Sequence, residues 1–198
     1  MKHIDVLKRD KTMAKIMEAT KPYKATKNED VYYVLMRSIA GQQLSVKAAD
    51  TIWDRFTDLF PDNYPHAKRV IKTHEDKLRS VGFSYQKAGY LKNIAQFSLE
   101  NKMEYAHLKT LSDEDIIEYL TQIKGVGKWT VEMLLMFSLT RKNVFPSGDL
   151  GIINGMKKAY KLKEEGKSLI LKCEKIAENW HPYKSMACFY IWPYKDTN

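Results

Sequence analysis

The stretch Ile123-Lys124-Gly125-Val126-Gly127-Lys128-Trp129-Thr130 decides how this chain folds. It lies between two segments with apolar residues at helical spacing. Ile116, Tyr119, Leu120 and Ile123 precede or open it, and Val131, Leu134, Leu135 and Ser138 follow it. Two glycines flanking one aliphatic residue let a helix stop, reverse and restart within a few residues, because glycine enters the positive-φ region without a Cβ clash. The second helix then opens with backbone N–H groups that have no intrahelical acceptor, and such groups bind anions well. A tight corner between two structural helices needs the same glycines, so the stretch alone specifies the turn more firmly than a ligand.

Outward from this turn the periodicity stays helical. Val31, Val34, Leu35 and Ile39 form one apolar stripe, and Ala48, Ala49, Ile52, Trp53 and Phe56 form the next. Residues 84–100 read as a helix with Ala88, Leu91, Ile94, Ala95 and Leu99 inward. Ser112 is a natural N-cap, with Asp113, Glu114 and Asp115 in the first turn behind it. Another helix begins near Asp149, and further helices cover about 165–179 and 183–192. The breaks fall at 60–65 and 143–148, both rich in turn residues. No alternating strand, internal repeat or low-complexity linker occurs, so the expected fold class is all-α.

Composition narrows the partners. The 198 residues carry 33 Lys+Arg against 24 Asp+Glu, a formal net charge of +9, which favours a polyanion. No apolar run reaches the roughly 18 residues that suggest a membrane span. Residues 1–21 are charged throughout and lack the apolar core of a signal peptide, so an intracellular protein is expected, cytoplasmic or nucleoid-associated if bacterial. The two cysteines, Cys173 and Cys188, are far apart and without clustered histidines, and are expected to behave as small buried apolar groups.

Taken singly, the remaining candidates have ordinary explanations. Asp149 is a good N-cap for the helix after it. Trp129 and Trp192 fit a core, and Gln42-Gln43-Leu44-Ser45 fits a plain loop between two helices.

Together they say more. The hairpin resembles the helix-hairpin-helix motif, and Phe145-Pro146-Ser147-Gly148-Asp149 resembles the Gly/Pro-rich loop and aspartate of the helix-hairpin-helix (HhH-GPD) DNA glycosylase superfamily. The run Gly125-Val126-Gly127-Lys128-Trp129-Thr130-Val131, with Trp180-His181-Pro182-Tyr183-Lys184-Ser185 and a later Trp192, resembles the 3-methyladenine DNA glycosylase II, or alkyladenine, branch. The match runs from about 30 to 192. The additional N-terminal α/β domain of some bacterial relatives is expected to be absent.

The resemblance implies two helical lobes with a central cleft. Lobe one would span about 29–140, including the hairpin at 123–130. Lobe two would take about 1–28 plus 141–198. It implies a monomeric monofunctional glycosylase acting on damaged double-stranded DNA, which flips out alkylated purines such as 3-methyladenine and 7-methylguanine and leaves an abasic site. Asp149 would be the catalytic carboxylate, stabilising positive charge on the sugar ring and orienting water. Trp129, Trp192, Met133 and Leu150 would line the base pocket, with the Trp192 indole attracting a cationic ring. Gly125, Val126, Gly127, Lys128 and Thr130 would hold phosphates, and Gln42, Gln43, Leu44 and Ser45 would form the loop that fills the gap left by the base. Either Gln43 or Leu44 is the plug. Main-chain carbonyls of Thr121, Ile123 and Val126 match positions that hold a sodium or potassium ion in the family, while no cofactor is required. The four-cysteine iron–sulfur loop of some relatives cannot be built from two cysteines.

Two other readings compete. A non-catalytic binding module would need neither Asp149 nor Trp192. A bifunctional glycosylase/lyase for oxidised bases would carry a nucleophilic lysine at the position filled by Trp129, and an indole cannot form the Schiff base.

Overall fold

In the computed structural model residues 3–24 and 26–197 are described, and every regular element among them is helical. The helices are α1 (His3–Leu7), α2 (Lys11–Ala19), α3 (Val31–Gly41), α4 (Val46–Thr57), α5 (Ala67–Lys72), α6 (Glu75–Ser80) and α7 (Tyr85–Glu100). They continue with α8 (Tyr105–Leu108), α9 (Asp113–Thr121), α10 (Lys128–Phe137), α11 (Leu150–Tyr160), α12 (Gly166–Ala177) and α13 (Lys184–Tyr194). Short 3-10 turns stand at Pro61–Asn63 and Glu178–Trp180. The chain divides into two compact units, Met1–Lys27 with Leu135–Asn198, and Asn28–Leu134.

In the Asn28–Leu134 unit, α7 packs against α3, α5 and α6, and α3 packs against α4. Serines start the helices as their side chains require. Ser84 Oγ accepts the Lys87 amide at 3.2 Å, Ser112 Oγ accepts the Asp115 amide at 3.0 Å, and Ser45 Oγ accepts the Ala48 amide at 3.3 Å. Phe56 is fully buried, with the rings of Trp53, Phe60 and Phe83 each 5.2–5.3 Å away. Ala88, Leu91, Ile94 and Ala95 face inward as expected, but Leu99 does not and is 46% exposed. At that last turn of α7 the chain leaves an open pocket of about 450 Å³, which Leu99 lines with Tyr32, Tyr64 and Met103. Tyr119 on α9 is only half-buried, edge-on to Phe97, because its hydroxyl reaches the Lys102 carbonyl at 3.3 Å.

In the other unit, α11 packs on α12, α13 and α2. The charged N-terminal segment forms α1 and α2, whose Leu7, Met13 and Ile16 are fully buried. Asp10 stitches this segment in place. Its Oδ1 accepts the Thr12 and Met13 amides at 2.9 and 3.1 Å, and its Oδ2 accepts the Tyr160 hydroxyl at 2.6 Å and the Trp180 indole N–H at 3.2 Å. Both cysteines are buried thiols, and burial pushes Cys173 up to about 11.

Candidate functional site

The hairpin between α9 and α10 turns on Gly125, whose φ is +106°. A Cβ there would also lie 2.2 Å from the Tyr90 ring, so glycine is required both by backbone conformation and by space. Asn93 Nδ2 on α7 donates to the Lys124 carbonyl at 3.0 Å, and the Val126 amide donates to the Ile123 carbonyl at 2.9 Å. Ile123 and Val126 point inward at 3% and 4% exposure, anchoring the turn, while Gly127, Lys128 and Trp129 stay exposed. The Gly127 carbonyl accepts the Val131 amide at 3.2 Å, the first turn of α10.

One expected phosphate contact and one residue of the expected gap-filling loop are bonded to each other instead. Thr130 is 2% exposed and its hydroxyl accepts a hydrogen bond from Gln42 Nε2 at 3.3 Å, so neither group is presented as the sequence suggested. The cause is helical phase. Thr130 stands next to the core residue Val131, and the half-buried Gln42 amide lies against it. Lys128 Nζ sits 3.7 Å from Glu132, a buried carboxylate one turn along α10.

The loop between α3 and α4 is the one expected to act as a wedge. Gln43 takes φ +59°, unusual for a non-glycine residue, and both Gln43 and Leu44 are exposed. Val46, just beyond the Ser45 cap, is 79% exposed, a surface aliphatic that the sequence reading passed over.

Asp149 is the N-cap of α11 and is nearly buried, at 9% exposure. Its Oδ1 accepts the Ile152 amide at 2.9 Å and the Trp192 indole N–H at 3.0 Å. A Cβ at Gly151 would lie 3.0 Å from Asp149 Oδ1 and 3.2 Å from Trp192 Cδ1, so this glycine leaves room for the pair. The loop before Asp149 is fixed from α13. Buried Ser185 Oγ donates to the Arg141 carbonyl at 2.7 Å and accepts the Val144 amide at 3.0 Å.

Trp192 stands in an aromatic cluster. Phe137 stacks on it at 5.6 Å and 22°, Phe189 lies at 5.9 Å, and Tyr23 meets it edge-on at 6.4 Å. Tyr23 is held by its amide, which donates to the Phe189 carbonyl at 2.7 Å, yet it is 56% exposed. The sequence pointed to Trp192 and missed these three rings. Phe137 carried a signal, an aromatic at the end of the hairpin's second helix, whereas nothing marked Tyr23. Leu150 is 75% exposed beside Asp149. Trp129, at 38% exposure, and the half-buried Met133 lie on α10 in the Asn28–Leu134 unit.

A tight helical hairpin turning on Gly125, and a capped aspartate bonded to an indole, are the arrangement that the resemblance to the helix-hairpin-helix glycosylases implied. Comparison with known proteins agrees. Residues 36–182 match the HhH-GPD superfamily base excision DNA repair protein family. DNA-3-methyladenine glycosylase 1 of Schizosaccharomyces pombe is 36% identical over 185 residues, covering 92% of this chain and 80% of that protein. The putative DNA-3-methyladenine glycosylase YfjP of Bacillus subtilis is 34% identical, over 82% of this chain and 58% of its own length. The solved structure of the S. pombe 3-methyladenine DNA glycosylase in complex with abasic DNA superposes with a TM-score of 0.84 at 33% identity, covering 97% of this chain and 95% of that one. The chain belongs to the HhH-GPD superfamily of base excision DNA repair proteins.

Proposed function

We propose that this chain is a monofunctional DNA glycosylase that removes alkylated purines, 3-methyladenine and 7-methylguanine, from double-stranded DNA. The observation that carries the reading is the Asp149–Trp192 pair, a nearly buried carboxylate bonded to an indole that stands in a cluster of aromatic rings. In the reaction the bond from sugar C1′ to the base nitrogen breaks, and its electron pair leaves with the base, neutralising the positive charge of the alkylated ring. The sugar is left with positive charge, which the Asp149 carboxylate stabilises. Water then adds to C1′ and gives up a proton, with Asp149 as the nearby base. The products are the free base and an abasic site. Tyr23 and the partly exposed Trp192 would offer ring faces to a cationic base.

The amides opening α10, with Lys128, would hold phosphates without reading sequence. Gln43 or Leu44 would fill the gap left by the extruded base. Trp129 stands where a lyase would carry its nucleophilic lysine, which supports hydrolysis rather than Schiff-base chemistry. A monovalent cation would be held by main-chain carbonyls of Thr121, Ile123 and Val126 at the negative end of α9. The Ile123 carbonyl already accepts the Val126 amide but keeps a second lone pair, so the donor set fits such an ion. It would brace the hairpin and take no part in bond cleavage. A single copy carries every residue named here, consistent with a monomer working inside the cell on its DNA.

The test is release of free bases from methylated duplex DNA, with Asp149→Asn alongside. Asparagine caps a helix as well as aspartate, so the fold is retained. Release of 3-methyladenine or 7-methylguanine, reduced at least about a hundredfold in the variant, is the expected result. Binding without release from any lesion would leave a DNA-binding module. A borohydride-trapped covalent adduct would replace hydrolysis by lyase chemistry.

A further inference from the structure

The wedge loop and the hairpin are fastened to each other through Gln42, and a lysine that no phosphate contact requires holds the other side. Lys87, on α7, donates from Nζ to the Ala40 carbonyl at 3.0 Å and to the Gln42 carbonyl at 2.6 Å. Ala40 lies in the last turn of α3, where carbonyls lack intrahelical partners and the helix end carries negative charge, so an ammonium is well matched there. On the opposite side, the Gln42 side chain donates to the Thr130 hydroxyl at the start of α10. The next residue, Gln43, is held in the left-handed region at φ +59° and is exposed. A non-glycine residue keeps that conformation only where its surroundings impose it. Burial lowers the Lys87 ammonium from its ordinary value, which marks it as desolvated by this packing rather than held out in solvent.

We propose that Lys87 and Thr130 are positioning residues that clamp Gln42 from both sides and so hold the Gln43-Leu44 wedge in its inserting shape before DNA arrives. This rests on the glycosylase reading above. A helix C-cap with only a structural role would cost stability and nothing else. A preformed wedge instead acts on one step, the extrusion of a paired base, and leaves hydrolysis alone. A lesion that is already unpaired needs no wedge.

The experiment measures single-turnover release of 7-methylguanine from two duplexes, one with the lesion paired to cytosine and one with it in a three-nucleotide bubble. Lys87→Met removes both hydrogen bonds and keeps the apolar stem. The expected result is a loss of about tenfold on the paired lesion, the scale of one strained residue, with release from the bubble unchanged. Lys87→Arg, which retains donors for both carbonyls, restores the paired rate. Thr130→Val, which cuts the other side of the clamp, gives the same selective loss and serves as the test if Lys87→Met does not fold. Equal losses on both duplexes, or no loss on either, overturn the inference while wild-type release keeps the glycosylase reading intact. Wild-type protein that releases neither 7-methylguanine nor 3-methyladenine from duplex DNA removes both.

Discussion

Trp192 donates its indole N–H to Oδ1 of Asp149 at 3.0 Å, and the Ile152 amide donates to the same oxygen at 2.9 Å. One carboxylate oxygen therefore carries both the helix cap and the indole bond. The aspartate is fixed in direction by two elements far apart in sequence, the start of α11 and the last turns of α13. Fixed dipoles of this kind need not reorganise when charge develops on a substrate.

Trp192→Phe separates the two roles of this side chain. Phenylalanine keeps an aromatic face against Phe137 but has no N–H to orient Asp149. The expected outcome is a fall of about tenfold in single-turnover base release, the value of one hydrogen bond to a charged group, with DNA affinity little changed. Rapid-quench kinetics beside a binding titration measures both. A rate equal to wild type would mean that the indole N–H contributes nothing to the chemistry.

The two hairpin glycines have unequal duties. Alanine at Gly125 meets both a positive φ and the Tyr90 ring, so Gly125→Ala should lower unfolding stability by about 2 kcal/mol or more. At Gly127 nothing lies within 4 Å of a new Cβ and φ is not positive, so Gly127→Ala should stay within about 0.5 kcal/mol. Urea denaturation followed by circular dichroism compares the pair, and equal losses would contradict the stated geometry.

Asp10→Ala should be the costliest of these changes for the unit that holds Asp149. It removes the cap of α2 and leaves the Tyr160 hydroxyl and Trp180 indole N–H without their acceptor. Trp180 is fully buried, so a loss of about 3 kcal/mol is expected, seen as a lower midpoint in thermal or urea unfolding. Asp10→Asn keeps one acceptor oxygen and should recover part of it.

The helical class and the hairpin were legible in the sequence because their causes are local. Gly-Val-Gly between two apolar stripes encodes a reversal whatever surrounds it, and Ser45, Ser84, Ser112 and Asp149 cap the helices they precede. The same locality exposes Gln43 and Leu44 on a short loop. The rest depended on partners distant in the chain. That the Thr130 hydroxyl faces Gln42 rather than solvent is decided by a contact 88 residues away. Leu99 kept the right spacing and still faces an open pocket, because burial needs a neighbour as well as a phase. Tyr23 is held beside Trp192 by its backbone bond to Phe189 and its edge contact with Phe137. By itself, then, the sequence determined where helices start, stop and reverse, since capping and glycine conformation act within a few residues. Only the tertiary structure decided which polar groups face outward and which rings gather around Asp149, since those follow from packing between segments that the chain order keeps apart.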